Sequence, residues 1–311
     1  MPSLKPRALR PGDLIGVAAP AGPVDEERLA RGVAELEMLG FATRVAPGVL
    51  DRQGFTAGTV ETRLEQLEGL VADPDVAAIA CARGGAGAGR LLTWLDPSGL
   101  RTHLKPLLGY SDITWLHLAL GRLGVVSLHG PMVARELAAG DAAYHRESLW
   151  HALTGEGDPY VSQPGDLHPL RRGEARGVLR GGCLSILAAA AGTPWSLQTG
   201  GERTVLFLED VDEPPYRIDR MLLQLRESGG FDGVRGIVFG EMKGCTPGPE
   251  ADYALEEVLL EALRGVDVPV AFGFPSGHTS GPNVTLPLGV DAALDCSKSE
   301  ARLEVLEVPV S

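Results

Sequence analysis

What the chain lacks first is positive charge. Its 28 Lys and Arg stand against 41 Asp and Glu, a formal net charge of -13. That balance excludes nucleic acid or an anionic membrane surface as a general partner, while leaving room for a local cationic pocket. No apolar run approaches the length of a membrane-spanning helix. The opening Met1-Pro2-Ser3-Leu4-Lys5-Pro6-Arg7 is charged like the start of a signal sequence. The apolar stretch after it, 14–20, is too short and too broken to complete one and reads as a buried strand, so a cytoplasmic protein is expected. The four cysteines, Cys81, Cys183, Cys245 and Cys296, lie far apart without metal-ligand spacing and are expected to be reduced and mostly buried. The histidines include no H-E-x-x-H and no cluster beside Cys, so neither a metal site nor a cofactor is expected. What remains, 44% hydrophobic and 22% charged over 311 residues, suffices for one large or two smaller cores.

Read in order, the chain alternates strand and helix from about residue 10 to 155. Residues 14–18 form a strand, and Leu29, Val33, Leu36 and Leu39 repeat at helical spacing before Gly40. A strand over 42–45, a helix carrying Leu64, Leu67, Leu70 and Val71, and a fully apolar strand over 76–81 follow. A Gly-rich turn, Ala82-Arg83-Gly84-Gly85-Ala86-Gly87-Ala88-Gly89-Arg90, then leaves backbone amides for an anion, or simply makes a tight strand-to-helix turn. It has no Lys for a phosphate loop, and no acid ends the second strand as a dinucleotide fold would want. The next strand ends at Leu107-Leu108-Gly109, with Tyr110, Ser111 and Asp112 before a helical pattern from Trp115, and a short strand over 125–131 and helical stretches over 132–137 and 142–153 complete the run. This rhythm predicts a doubly wound α/β domain with both loops at the carboxyl edge of the sheet. Residues 154–173, rich in Gly, Pro, Asp and Arg, read as a crossing to a second, mixed α/β domain, whose end, 286–307, alternates like paired strands. The expected boundaries are 1–160 and 174–311.

Three side chains stand where chemistry is accessible. Ser111, between strand and helix, sits in the positive field of a helix N-terminus, which suits an oxyanion; equally, Ser111 or Asp112 caps that helix. The elbow motif G-x-S-x-G is incomplete, with Ile113 at the second glycine. Glu209 ends the apolar strand Val205-Leu206-Phe207-Leu208, where a carboxylate is costly unless paired; Arg217 and Arg220 are available partners. His278 lies in the Gly-Pro loop after another apolar strand, as a loop histidine or a base. His117 and His151 fall in helical patterns and are weaker candidates. Together, hydroxyl, imidazole and carboxylate supply the parts of acyl transfer.

The chain resembles the LD-carboxypeptidases, a family that includes the microcin-immunity peptidases. The resemblance rests on R-P-G-D-L-I-G-V-A-A-P-A-G from Arg10, A-R-G-G-A-G from Ala82, G-Y-S-D-I-T from Gly109, L-H-G-P-M from Leu128 and L-R-G-G-C-L-S from Leu179. It continues through G-T-P-W from Gly192, L-F-L-E-D-V from Leu206, P-Y-R-I-D-R-M-L from Pro215, G-F-P-S-G-H from Gly273 and N-V-T-L-P-L-G from Asn283. It implies a flavodoxin-like N-terminal domain, a smaller C-terminal domain, a cleft between them and a homodimer. It also implies a triad of Ser111, His278 and Glu209, with Glu213 the weaker choice of acid, and an oxyanion hole from the amides of Asp112 and of Gly85 or Ala86. The implied substrate is a small peptide with an amide between an L-centre and a terminal D-amino acid, as in murein tetrapeptide. A peptidyl-nucleotide substrate, or anion binding without chemistry, are the alternatives. The substrate carboxylate needs a cation, with Arg83, Arg90, Arg217 and Arg220 the candidates. Two positions depart from the family: Ala86 stands where Tyr is usual, and Cys183 where Asn is usual. The first bears on the substrate pocket; the second reads as a small buried residue.

Overall fold

Alternation of apolar strands with capped helices builds two sheets, each in its own unit of the chain. The computed structural model describes residues 3–162, 165–199, 201 and 203–311. Met1 and Pro2 of the charged start, Gln163 and Pro164 of the expected crossing, and Gly200 and Glu202 lie outside the described residues.

The first unit comprises Met1–Asp158, Gly281–Gly289 and Val308–Ser311. Its parallel strands are β1 (Leu14–Ala18), β2 (Ala42–Val45), β3 (Val76–Cys81), β4 (Leu107–Gly109) and β5 (Ser127–His129), in the spatial order 2-1-3-4-5. That is the flavodoxin-like doubly wound order. All six side chains of β3 are buried, as a central strand covered on both faces requires. The helices are α1 (Glu26–Met38), α2 (Val60–Ala72), α3 (Ala88–Leu91), α4 (Pro97–Thr102), α5 (Thr114–Arg122) and α6 (Arg146–Thr154). Asp25 caps α1 by accepting from the Arg28 amide, and Thr59 caps α2 through the Thr62 amide. α1 lies so close to the turn Val133–Leu137 that a Cβ on Gly32 would stand 1.8 Å from the Val133 carbonyl oxygen.

The second unit comprises Pro159–Ser280 and Val290–Glu307. It contains β6 (His168–Arg171), β7 (Glu174–Cys183), α7 (Leu184–Ala190), β8 (Thr204–Glu209), α8 (Pro215–Glu227), β9 (Val234–Gly240), α9 (Leu255–Ala262) and β10 (Val270–Phe274). The hairpin β12 (Asp291–Asp295) and β13 (Arg302–Val305) completes the sheet, in the order β13-β12-β7-β8-β9-β10-β6. β7 to β10 are mutually parallel, and β6 and β12 run antiparallel to their neighbours. Val205, Leu206, Phe207 and Leu208 are wholly buried, each contributing about 1.5–3 kcal/mol.

Two expectations are corrected. The second unit is not continuous over 174–311, because β11 (Leu286–Leu288) pairs antiparallel with β5 and returns the chain to the first sheet. The stretch 154–173 is not purely a crossing either, since its end forms β6 on the edge of β10.

Candidate active site

Ser111 occupies a strained corner. β4 ends at Gly109, Tyr110 is extended, and Ser111 takes φ +64, opening the turn Ser111–Ile113 that runs into α5. A non-glycine residue in the left-handed region costs on the order of 1–2 kcal/mol, a strain that tends to persist where function needs it. Ser111 is not a helix cap. The cap positions of the turn and of α5 are Tyr110 and Ile113, and neither makes a side-chain cap bond. The Gly-rich turn abuts this corner, for a Cβ on Gly84 would lie 2.9 Å from the Ser111 Cβ and 3.1 Å from its Oγ. Gly85 has φ +119, and the amides of Gly85 and Ala86 donate to no backbone carbonyl among the described residues.

Asp112 fastens the two turns together. Its side chain is 4% exposed, and Oδ2 accepts from the Ala88 amide at 2.8 Å, capping α3 from across the corner. Burial raises its pKa, while the Ala88 amide and the Arg63 charge oppose the rise. Arg63 was not singled out in the sequence. It is 1% exposed, and its Nη1 donates to the carbonyls of Pro20 (2.7 Å) and Gly87 (2.8 Å). Its Nε donates to Thr59 O at 3.2 Å. One buried guanidinium thus braces the turns that follow β1 and β3, and the fork of donors suits Arg and not Lys. The only signal was an Arg on the apolar face of α2, next to Leu67 in helical spacing.

His117, set aside as a helix-face histidine, backs the same corner. Its Nε2 donates to the Gly109 carbonyl at 2.8 Å, and Nδ1 therefore accepts from Ser127 Oγ at 2.9 Å. Burial above all, then the His129 charge, pushes its pKa down to about 3, so it is a neutral strut and not a proton carrier. Tyr110 donates from its hydroxyl to Glu136 at 2.7 Å.

In the second unit, Glu209 and His278 meet. Glu209 ends β8 fully buried, and its Oε2 accepts both the His278 Nδ1–H at 2.7 Å and the His278 amide at 3.0 Å. The carboxylate is paired by histidine, not by Arg217 or Arg220. With Nδ1 the donor, the neutral ring carries its basic lone pair on Nε2. Gly277, φ +86, permits the approach, because a Cβ there would stand 2.5 Å from the Glu209 Cδ. The loop is held further by Lys243 Nζ, which donates to Thr279 O at 3.0 Å, and by Glu241, which accepts from the Ser280 amide at 2.8 Å.

Glu213 is committed elsewhere, accepting from Arg217 at 3.4 Å. Arg217 and Arg220 are exposed on α8, with Arg220 over the Tyr216 ring. Arg83 is half-buried, and Arg90 lies over the Phe55 ring. Cys183, buried and in register with Glu209, has its thiol pushed well above 9 by burial and by the Glu209 and Asp210 charges. It is no nucleophile. Among the described residues no cluster of three His, Cys, Asp or Glu could hold a metal, and no helix is long and apolar enough to cross a membrane.

Comparison with known proteins places this geometry. Residues 15–130 match the family model of the LD-carboxypeptidase N-terminal domain, and residues 176–294 that of the LD-carboxypeptidase C-terminal domain. A Bacillus subtilis (strain 168) protein named "Probable murein peptide carboxypeptidase" is 37% identical over 303 residues, covering 96% of this chain and 94% of that one. The murein tetrapeptide carboxypeptidase of Pseudomonas aeruginosa is 35% identical over 291 residues, covering 90% and 92%. The crystal structure of muramoyltetrapeptide carboxypeptidase from Oxalobacter formigenes superposes with a TM-score of 0.82 at 31% identity, covering 96% of this chain and 100% of that one.

Proposed function

The chain belongs to the LD-carboxypeptidase family of peptidases, and on that premise we propose that it is a serine-type carboxypeptidase acting on an amide between an L-centre and a terminal D-amino acid. The observation that carries the serine mechanism is the buried Glu209 carboxylate bonded at 2.7 Å to Nδ1 of His278, a base oriented by an acid. The strained turn at Ser111 and the relatives named as murein tetrapeptide carboxypeptidases support the nucleophile and the substrate class.

In this reading His278 Nε2 takes the hydroxyl proton as Ser111 Oγ bonds to the scissile carbonyl carbon. The carbonyl oxygen becomes an oxyanion, which the amides of Asp112 and of Gly85 or Ala86 receive. Collapse breaks the C–N bond, and the proton passes from His278 to the departing amine of the D-amino acid. Water, deprotonated by His278, then attacks the acyl-serine; the C–O bond to Ser111 breaks, His278 returns the proton to Ser111 Oγ, and the shortened peptide leaves. Glu209 stays ionised and stabilises the imidazolium. We take the working form to be a cytoplasmic homodimer on the family resemblance alone.

The test is product analysis by mass spectrometry on a matched panel of peptides with LD, DL and LL terminal linkages. Release of the terminal D-amino acid from the LD peptide alone is expected. Cleavage confined to LL peptides, or no cleavage, would sink the reading.

A further inference from the structure

Two segments meet the end of β3, and a third joins them through the loop after β1. The Gly22 amide donates to Gly84 O at 3.0 Å, the Ala57 amide to Ala21 O at 2.9 Å, and the Ala134 amide to Ala82 O at 2.8 Å. Each converging segment brings an arginine toward Arg83: Arg28 on the first turn of α1, Arg52 before α2, and Arg135 in the turn Val133–Leu137. Arg83 itself is half-buried. Its Nη1 donates to Pro23 O at 3.1 Å, and its Nε is shielded from solvent without a hydrogen-bond partner. Burial first, then the charges of Arg135, Arg28 and Arg52, lower its pKa, so the four share one field.

None of the four makes an ion pair with a carboxylate among the described residues. The acids on the same segments are engaged or apart. Asp25 caps α1, Glu27 pairs with Arg31 at 3.9 Å, and Glu136 accepts from Tyr110 and from the Met132 amide. Glu26 and Asp51 pair with none of the four. In a chain of net charge -13, four arginines without a paired carboxylate concentrate positive charge at a place where an anion can be received. One terminal carboxylate would balance only one of them. The knot also adjoins the nucleophile turn, since Arg83 precedes Gly84, whose Cβ position lies 2.9 Å from the Ser111 Cβ.

We propose that Arg28, Arg52, Arg83 and Arg135 form an anion subsite that selects peptides carrying a second free carboxylate besides the terminal one. Arg83 is the inner donor, and the three exposed arginines complete the field. The inference rests on the reading of Ser111 as nucleophile of an LD-carboxypeptidase, and it specifies which substrates that enzyme prefers.

The test compares two synthetic LD peptides that differ only in one internal carboxylate, free in one and amidated in the other. Wild-type enzyme is expected to favour the free acid by about tenfold or more in kcat/KM, with the preference shrinking as salt rises. In the triple variant Arg28→Gln/Arg52→Gln/Arg135→Gln the ratio should fall toward one. Arg83→Lys should narrow it as well, because a point charge replaces a planar fork. Arg264→Gln, a charge control on the second unit, should leave the ratio where it was. Equal cleavage of the two peptides by wild type, or a ratio untouched in the triple variant, overturns the subsite while leaving the peptidase standing. If wild type cleaves neither peptide, the peptidase reading fails, and calorimetric titration with the same two peptides decides the subsite: equal affinity, or binding of neither, overturns it too.

Discussion

At the scale of single residues, close approach explains why particular side chains are small. Gly84 and Gly277 each leave room for a functional group to sit where a methyl would collide, against Ser111 in one case and Glu209 in the other. Gly84→Ala is therefore expected to lower kcat by at least about tenfold, with thermal stability little changed, in steady-state assays beside calorimetric melting. Glu209→Gln keeps an acceptor but removes the charge that stabilises an imidazolium, and kcat should fall by about two to four powers of ten. A kcat within twofold of wild type would remove the carboxylate from the mechanism. All four cysteines are buried, and burial raises the thiol of Cys183 well above 9. Iodoacetamide at pH 8 should accordingly leave activity intact and Cys183 unmodified by peptide mapping. At this scale the sequence singled out Glu209 at the end of an apolar strand, and Ser111 and His278 in the loops after two others, and the structure brings Glu209 and His278 together. The sequence was silent on Arg63, whose partners at Pro20 and Gly87 come from loops distant in sequence, and it set His117 aside as a weaker candidate, which fits a neutral strut.

At the scale of elements, the carboxyl edge of the first sheet is stiffened by buried polar side chains. Arg63 joins two loops, Asp112 caps α3, and neutral His117 holds the last carbonyl of β4. His117 has a consequence for stability. Its folded pKa, about 3, lies below the ordinary histidine value of 6.5, so the unfolded chain binds the extra proton between those limits. The stability tied to a neutral His117 is present above pH 6.5 and drains as pH falls toward 3, at about 1.4 kcal/mol per pH unit. Urea unfolding between pH 6 and 4 should show that slope reduced by roughly this amount in His117→Gln; an unaltered slope would mean the ring is not held neutral. Strands read well where apolar runs were bounded by Gly or Pro, as in β1, β3 and β8. β11 could not be read that way: it is three residues long, and its partner β5 lies more than 150 residues earlier in the sequence. β6 was hidden because an edge strand with His, Pro and Arg carries no alternation to detect.

At the scale of the whole molecule, composition gave an acidic chain and the fold gathers four of its arginines at one sheet edge. Net charge spoke against nucleic acid, but the local cationic field was invisible until the segments after β1, β2, β3 and β5 were seen to converge. The division into two units was legible in the change of rhythm near residue 155, while the return of 281–289 to the first unit was not, since sheet membership is set by pairing and not by local composition.

The central claim is that Ser111 forms the bond to the substrate carbonyl. The direct measurement is the single-turnover release of D-alanine from an LD peptide by purified Ser111→Ala beside wild type, with circular dichroism showing both folded. A loss of about three powers of ten or more is expected. Release at the wild-type rate by the alanine variant would contradict the account.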